Sequence, residues 1–387
     1  MNSSISTTRI AIACGGTGGH LFPGLSVAGQ LVKRGCAVTL LISPKDIDQQ
    51  AVKTACGVEI VTLPAVALQN RNYYSFARSF WQSWRAARKT FASQPPSVVL
   101  AMGGFTAAPP VLAARKFGAQ TFLHESNTIP GRANRFLARF VDEAFVGFAE
   151  AAPRLRARKI SVTGTPVRPL FLPRDAAACR AALGLDPAKP VVLVTGGSQG
   201  ASGVNQLILA ALPLLAGQDW QWLHLTGACE FEKVKAAYVA SGLRAMVRPF
   251  LSEMDLALGA ATACVSRAGA SSLAEIAAVR LPALLVPFPA AADNHQYCNA
   301  RAFEAAGAAR LLEQKNATPE KVAGLLRGLV EAAAVRAKIQ TALAQWQAPR
   351  AAEEIAEKIL CAVAAQLECR SAAVKISVGC GGSKAHA

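Results

Sequence analysis

Short apolar runs alternate with longer stretches of helical spacing along most of the chain. The runs at 10–14, 38–42, 98–101 and 121–123 are short and continuous, like strands buried on both faces of a parallel sheet. The stretch between the first two predicts a helix that ends at Gly35, because glycine readily takes the left-handed conformation that follows a helix. The alternation predicts an α/β fold with a doubly wound sheet.

The same alternation restarts near the middle of the chain. Residues 165–174 carry three prolines and are typical of a linker. The run PVVLVTGGSQG at 190–200 then repeats the arrangement of RIAIACGGTGGH at 9–20, and a helical stretch follows each. A chain of 387 residues is long enough for two domains. The sequence therefore predicts two similar Rossmann-like domains that face one another.

These signals define the expected domain boundaries. We assign residues 1–165 to the first domain and 166–346 to the second. An Ala-rich helical segment at 347–369 follows, and residues 370–387 lose helical periodicity and are predicted to form a flexible tail.

Composition and charge narrow the class of protein. Hydrophobic residues make up 52% of the chain and charged residues 17%, which excludes a disordered protein. The net charge of +17 favours an anionic partner, and without a nucleic-acid-binding motif we expect nucleotide phosphates or an anionic membrane leaflet. The ten cysteines form no C-x-x-C pair, which argues against zinc and fits a reducing cytosol. The N-terminus indicates a first strand rather than a signal peptide, and no apolar run reaches the ~20 residues that span a bilayer.

Glycine-rich loops follow two strands of the first half. The loop GGTGGH at 15–20 would open a helix, where backbone N–H groups and the positive helix end attract phosphate. It lacks the third glycine of the dinucleotide motif and the lysine of a Walker loop, which disfavours NAD and ATP. We expect the loop at 102–106 to form part of the same anion-binding site. The alternative for either loop is a tight turn without a ligand.

Three polar loops mark the second half. GGSQG at 196–200 offers backbone donors, and SRAGASSLAE at 266–275 places hydroxyls at a helix start with a carboxylate one turn later. Such hydroxyls bind pyrophosphate and such a carboxylate accepts ribose hydroxyls, although a capping box explains the same residues. The amides at 291–299 suit sugar hydroxyls. The sequence therefore indicates a nucleotide-sugar site, with ordinary turns as the alternative.

Histidines and carboxylates give no metal-binding pattern. His20, His124 and His295 each follow a predicted strand, but no H-E-x-x-H spacing occurs. Residues 46–48 match the D-x-D motif of metal-dependent transferases, but they lie away from the nucleotide loops and we interpret them as a solvated turn. We expect no metal and no cofactor.

An aromatic and basic segment at 73–89 stands apart from these loops. Aromatic rings on one helical face with flanking arginines are typical of an interfacial membrane anchor, and core packing is the alternative. The predicted membrane residues are Phe76, Phe80, Trp81, Trp84, Arg85 and Arg88.

The motifs, taken in this order, resemble the MurG family of bacterial glycosyltransferases. The match rests on GGTGGH, the GGF loop, HESN at 124–127, GTPVR at 164–168, GGSQG, SRAGASSLAE and DNHQYCNA, and it spans residues 10–300 with helical character to about 365. The resemblance implies a GT-B fold, an acceptor-binding first domain, a UDP-GlcNAc-binding second domain and a final helix that crosses back to the first domain.

The resemblance also implies site residues. Arg168, Ser198 and the 270–273 turn would face the UDP phosphates, Leu251 would lie near the uracil, and Glu275 would bind the ribose. The implied donor site comprises Thr17, Gly18, Gly19, Asn127, Arg168, Ser198, Leu251, Ala270, Ser271, Ser272, Leu273, Glu275 and Gln296, where Asn127 and Gln296 contact the transferred sugar. The acceptor diphosphate would meet Gly15, Gly16, Gly103 and Gly104.

The implied reaction is inverting transfer of N-acetylglucosamine from UDP-GlcNAc to the 4-hydroxyl of N-acetylmuramic acid in lipid I, which gives lipid II. His20 is the candidate general base, because imidazole titrates near neutral pH, and Glu125 is the second candidate. The resemblance implies a peripheral protein on the cytoplasmic face of the plasma membrane, with anionic inner-leaflet lipids and cell-wall synthesis and division proteins as partners. A diacylglycerol glycosyltransferase and a non-catalytic polyisoprenyl-phosphate-binding subunit are the rival interpretations.

Overall fold

The structure is a computed structural model that describes residues 8–16, 18–65, 73–197 and 200–379, without the side chains of 47, 50, 51, 54, 73 and 369–379. Each half of the chain forms a parallel sheet, as the sequence predicts. The strands of the first sheet are β1 (Arg9–Ala13), β2 (Ala37–Ile42), β3 (Val58–Thr62), β4 (Val98–Ala101), β5 (Gln120–Glu125), β6 (Glu143–Val146) and β7 (Ile160–Val162).

A second sheet follows the proline-rich linker. It has a short edge strand that the sequence analysis did not single out, and it is parallel throughout. Its strands are β8 (Val191–Thr195), β9 (Gln221–Leu225), β10 (Ala245–Arg248), β11 (Ala263–Ser266), β12 (Ala283–Leu285) and β13 (Arg310–Leu311).

Helices connect the strands and cover the sheets. Those of the first half are α1 (Gly18–Lys33), α2 (Asp46–Ala51), α3 (Tyr73–Ser93), α4 (Ala108–Arg115) and α5 (Arg132–Leu137). Those of the second half are α6 (Ala176–Ala182), α7 (Ser202–Leu215), α8 (Phe231–Ser241), α9 (Met254–Ala260), α10 (Ala270–Ala278), α11 (His295–Ala305), α12 (Pro319–Val330), α13 (Ala333–Ala344) and α14 (Ala351–Gly379).

Both sheets have the same kind of strand order. The first runs β3-β2-β1-β4-β5-β6-β7 and the second β10-β9-β8-β11-β12-β13, so each grows outward in both directions from its first strand. A parallel sheet built in this way has a crevice at the carboxyl ends of its central strands, where the connections diverge. The glycine loops predicted from the sequence follow those strands, which places them at the crevices.

The first sheet is buried on both faces, which explains its uninterrupted apolar runs. Ile10 and Ile12 of β1 pack toward α1 and α14, whereas Ala11 and Ala13 belong to the cluster on the opposite face, with residues of α3 and α4. Helix α1 ends at Lys33, and Gly35 follows with φ of +80°, which confirms the predicted stop.

The last helix, α14, packs on the first domain rather than the second. Ile355 and Ile359 lie in the core cluster of the first sheet, and Arg34, which directly follows α1, lies 3.4 Å from the Glu353 carboxylate. The helix continues to Gly379, ten residues beyond the predicted end at 369, and residues 380–387 of the predicted flexible tail lie outside the described residues. The chain holds neither proline nor glycine from 351 to 378, which lets the helix extend past the loss of amphipathic spacing.

Candidate active site

The first glycine loop follows β1 and is held by its neighbours. The Gly16 N–H donates to Oδ2 of Asp48 over 2.6 Å, and the Gly16 carbonyl accepts from Nζ of Lys45 over 2.9 Å. Thr106 Oγ1 donates to the Gly15 carbonyl over 2.7 Å. The predicted donor-site residue Thr17 lies outside the described residues. The Gly16 N–H is therefore not a free phosphate donor, contrary to the expectation from the sequence.

Asp48 is the second carboxylate of the D-x-D segment, and the prediction of a solvated turn is wrong for it. Asp46 is exposed, but Asp48 is fully buried beneath the loop. One carboxylate is therefore in solvent and the other is in the interior, so the two are not placed to bind one metal ion together. The error arose because the partner of Asp48 is 32 residues away in the chain, and local polarity does not reveal such a contact.

His20 lies in the first turn of α1 against the second glycine loop. A Cβ atom at Gly103 or at Gly104 would lie 3.0 Å from the His20 ring, so a larger residue at either position would crowd the ring. Both glycines also have positive φ, +102° and +78°. Burial lowers the pKa of His20, and the Glu125 carboxylate opposes that shift. A neutral imidazole at neutral pH can accept a proton, which fits the predicted role as general base.

Glu125 ends β5 and organises the loop that follows it. One carboxylate oxygen accepts from the backbone and side-chain nitrogens of Asn127, at 2.8 and 3.0 Å. The other accepts from the Gly131 N–H at 2.9 Å and from Asn134 Nδ2 at 2.8 Å. Glu125 is 2% exposed, and its carboxylate accepts four hydrogen bonds from the loop and from α5. Its role in the structure is therefore to hold this loop in place. This arrangement favours His20 over Glu125 as the base.

Asn299 of the second domain joins this loop across the domain boundary. Its Oδ1 accepts from the backbone and hydroxyl of Thr128, each at 2.9 Å. Its Nδ2 donates to Asn127 Oδ1 at 3.0 Å and to the Ala268 carbonyl at 3.1 Å. These bonds fix the orientation of the Asn127 carboxamide, which we expect to contact the transferred sugar. Asn299 was noted in the sequence only as part of a polar loop.

The start of α10 faces the first glycine loop. Ala270, Ser271 and Ser272 form its first turn, and Ser271 Oγ donates to the Gly19 carbonyl over 3.0 Å. The unpaired N–H groups of a helix start bind anions, so the turn suits a diphosphate. Leu273 is buried and contributes packing and backbone. Ser198, the predicted contact from the GGSQG loop, lies outside the described residues.

Glu275 lies one turn further along α10, opposite Arg168 of the linker. Their charged atoms are 4.0 Å apart, and the Glu275 side chain is 18% exposed. Burial raises the pKa of the Glu275 carboxyl to about 7, and Arg168 opposes that shift. The Arg168 guanidinium also stacks on Phe22 and Phe171, at 4.6 and 4.8 Å from the ring centres. Arg168 thus lies between Phe22 of the first domain and Glu275 of the second, and its two ring contacts hold it there.

Gln296 and Leu251 complete the predicted donor residues. The Gln296 Oε1 accepts from the backbone nitrogens of Ala268 at 3.3 Å and Phe288 at 3.0 Å, which turns its amide nitrogen away from those loops. Leu251 is half-buried against the core of the second domain, after β10. The structure therefore places the described residues that were predicted to bind the donor at the carboxyl ends of the two sheets.

Helix α3 packs against α4, and the structure corrects the predicted membrane face. Phe80 and Trp84 are half-buried against the core of the first domain, and Arg88 and Lys116 stack on the Trp84 ring at 4.8 and 5.2 Å. These two rings belong to the edge of the core. Helical spacing grouped them with one face but could not show which face meets the protein.

The exposed part of α3 lies around Trp81. This ring is 52% exposed and carries Arg85 at 4.8 Å, and Tyr74 nearby in the sequence is 81% exposed. Phe76 is half-buried, with its ring centre 6.3 Å from that of Phe80. No helix in the described ranges is long and apolar enough to cross a membrane.

Comparisons with known proteins agree with this geometry. Residues 10–146 match the N-terminal domain of glycosyltransferase family 28, and residues 191–355 match the C-terminal domain of that family. A protein of Anaeromyxobacter dehalogenans is 37% identical over 360 residues, covering 90% of this chain and 91% of its own. The chain belongs to glycosyltransferase family 28.

Two relatives of this family-28 chain carry the same name. The Anaeromyxobacter protein is named UDP-N-acetylglucosamine–N-acetylmuramyl-(pentapeptide) pyrophosphoryl-undecaprenol N-acetylglucosamine transferase. A Mesorhizobium japonicum protein of the same name is 35% identical, over 83% of this chain and 86% of its own. The resemblance to MurG is thereby confirmed.

Solved structures of family members and other transferases share the fold. MurG of Acinetobacter baumannii matches with a TM-score of 0.72 and 26% identity, over 91% of this chain and 99% of that one. The calicheamicin glycosyltransferase CalG4, at 18% identity and a TM-score of 0.62, shares the fold alone. The two facing parallel sheets are those of the GT-B fold, as predicted.

Proposed function

We propose that the chain transfers N-acetylglucosamine from UDP-GlcNAc to lipid I, the undecaprenol-linked N-acetylmuramyl-pentapeptide, and so forms lipid II. The observation that carries the proposal is a direct contact between the glycine loop at 15–20 in the first domain and the start of α10 in the second domain. Ser271 at the start of α10 bonds to Gly19, and His20 follows Gly19 in the chain. A helix start of the phosphate-binding kind thus lies beside a half-buried imidazole, in a chain whose relatives bear the name of this transferase.

The chemistry follows from this placement. The 4-hydroxyl of N-acetylmuramic acid attacks the anomeric carbon of UDP-GlcNAc on the face opposite UDP, so the configuration inverts. His20 takes the hydroxyl proton as the bond forms. UDP departs with the electrons of the broken C–O bond, and the α10 start and Arg168 stabilise its growing negative charge. Glu275 accepts hydrogen bonds from the ribose hydroxyls, and Asn127 and Gln296 orient the transferred N-acetylglucosamine.

Release of UDP tests the pairing of donor and acceptor. Purified protein with UDP-GlcNAc and a short-chain lipid I analogue should release UDP continuously, and omission of the acceptor should abolish the release. UDP release that is as fast without the acceptor would mean hydrolysis and would contradict a transferase.

Donor affinity should depend on pH through Glu275. Because its pKa is raised to about 7, the carboxyl is largely protonated at pH 6 and ionised at pH 8. Only the ionised form can accept a hydrogen bond from both ribose hydroxyls with full strength. We expect UDP to bind ~10-fold more tightly at pH 8 than at pH 6, and Glu275→Gln to flatten that dependence. Calorimetric titration with UDP measures both, and an equal slope in the variant would remove Glu275 from the ribose site.

We also propose that the protein is peripheral on the cytoplasmic leaflet and meets anionic lipids through α3. The exposed Trp81 ring with Arg85 stacked on it combines an apolar surface with a positive charge, as interfacial helices do. Contact with cell-wall synthesis and division proteins is a proposal from the family resemblance alone.

Membrane binding should be lost when Trp81 is replaced. Trp81→Glu removes the exposed ring without touching the core, and we expect vesicles containing phosphatidylglycerol to bind this variant ~10-fold more weakly. Val239→Glu is the matched control, because Val239 is 75% exposed on α8 of the second domain and the charge change is the same. Co-sedimentation measures both. Equal binding of the two variants would contradict a membrane role for this part of α3.

A further inference from the structure

A buried carboxylate holds the first glycine loop from below. Three donors converge on Oδ2 of Asp48: the Gly16 N–H at 2.6 Å, the Ser43 N–H at 3.2 Å and the Ser43 hydroxyl at 2.5 Å. The residue is 0% exposed. A carboxylate is costly to bury, and it is tolerated only where it satisfies several donors. Its position is therefore specific to the loop it holds.

Lys45 holds the same loop from the other side. Its ammonium donates to the Gly16 carbonyl over 2.9 Å and lies 5.3 Å from the centre of the Phe105 ring. Both backbone groups of Gly16 are thus bonded by the segment that follows β2. Gly16 has φ of +111°, a conformation that other residues rarely adopt. The loop between β1 and α1 is therefore held at Gly16 from both sides, through its N–H and its carbonyl.

We propose that Asp48 is a positioning residue for the transfer reaction, which sets the loop that leads into His20 without contacting either substrate. The inference rests on the proposed function, because it assigns Asp48 a part in that reaction. The route is short, since His20 is four residues beyond Gly16. Proton transfer requires the base within hydrogen-bond reach of the attacking hydroxyl, and a displacement of 1 Å can cost ~10²-fold in rate.

Charge gives a second, separable effect of Asp48. Burial is the largest influence on the pKa of His20 and lowers it. The Glu125 carboxylate, the Met102 backbone and the Asp48 carboxylate raise that pKa, and His295 lowers it. Asp48→Asn keeps an oxygen for the three donors and removes the charge, because Oδ1 accepts no hydrogen bond from a described residue. Loss of the charge lowers the pKa of His20, so the acid limb of the kcat profile should move to lower pH.

The experiment compares Asp48→Ala and Asp48→Asn with Asp46→Ala. Asp46 is exposed on the same helix, so its replacement removes the same charge without touching the loop. We expect Asp48→Ala to lower kcat by ~30–100-fold while UDP, held by the second domain, binds as in the wild type. We expect Asp46→Ala to retain wild-type turnover. The Gly16 amide proton, followed by NMR in glycine-labelled protein, should shift upfield in Asp48→Ala and keep its wild-type position in Asp46→Ala.

Each outcome decides a different point. A kcat for Asp48→Ala within twofold of that for Asp46→Ala, or an unmoved Gly16 amide signal, would overturn the inference. If Asp48→Ala does not fold, the pH profile of Asp48→Asn decides, and an unshifted acid limb counts against it. Absence of transfer by the wild type would reject the proposed function itself, whereas the Gly16 signal would still report whether Asp48 holds the loop.

Discussion

Replacement of His20 by alanine is expected to lower kcat by ~10²–10⁴-fold while the affinity for UDP stays close to that of the wild type. The ring packs on Gly103 and Gly104 of the neighbouring loop in the first domain, whereas the proposed nucleotide site lies in the second domain. Its loss therefore removes proton transfer and leaves nucleotide binding. Because burial lowers the pKa of His20, the acid limb of the wild-type kcat profile should lie below the ordinary histidine value, and it should vanish in the variant.

Steady-state kinetics across pH, with UDP titration as the control, measure this prediction. Urea unfolding of the variant shows whether a loss of rate reflects a loss of fold. Turnover within a few-fold of the wild type would exclude His20 as the base and would direct attention to the opposite wall of the cleft.

Replacement of Glu125 by alanine is expected to destabilise the first domain by ~3–5 kcal/mol and to abolish transfer. The carboxylate accepts four hydrogen bonds in a nearly closed environment. Each buried donor that is left unpaired costs about 1–3 kcal/mol, and water will reach some of them. Urea unfolding followed by tryptophan fluorescence measures the loss.

Glu125→Gln separates this structural role from catalysis by Glu125. Glutamine keeps one oxygen and presents an NH₂ group where the second oxygen accepted two donors, so the fold should weaken together with the rate. A Glu125→Gln protein with wild-type stability and an activity loss of ~10³-fold would instead support Glu125 as the base.

The sequence predicted the parts of the site that depend on local pattern. Glycine loops after apolar runs located the crevices, because parallel strands end at the same edge and their connections meet there. The stop at Gly35 followed from a conformation that glycine adopts readily. The hydroxyls of the 266–275 segment were correctly placed at the start of a helix, α10. In each of these cases the signal and the structure lie within a few residues of one another.

Contacts between residues that are far apart in the chain could not be predicted from the sequence. Asp48 bonds to Gly16 and Asn299 bonds to Thr128 across 171 residues, and neither pairing leaves a local trace. The orientation of α3 also depended on tertiary packing, since aromatic rings occupy more than one face of the helix and only the fold shows that Trp84 meets the core. The length of α14 was underestimated because the absence of a helix breaker outweighs the loss of amphipathic spacing.

Transfer of label from UDP-GlcNAc into lipid tests the central claim most directly. Purified protein is incubated with radiolabelled UDP-GlcNAc and a short-chain lipid I analogue, with His20→Ala alongside, and the lipid fraction is counted. The account predicts label in lipid that requires the muramyl-pentapeptide diphosphate and that falls by at least ~10²-fold in the variant. Donor binding without label in this acceptor would contradict the proposed function and leave the GT-B fold and the nucleotide site standing.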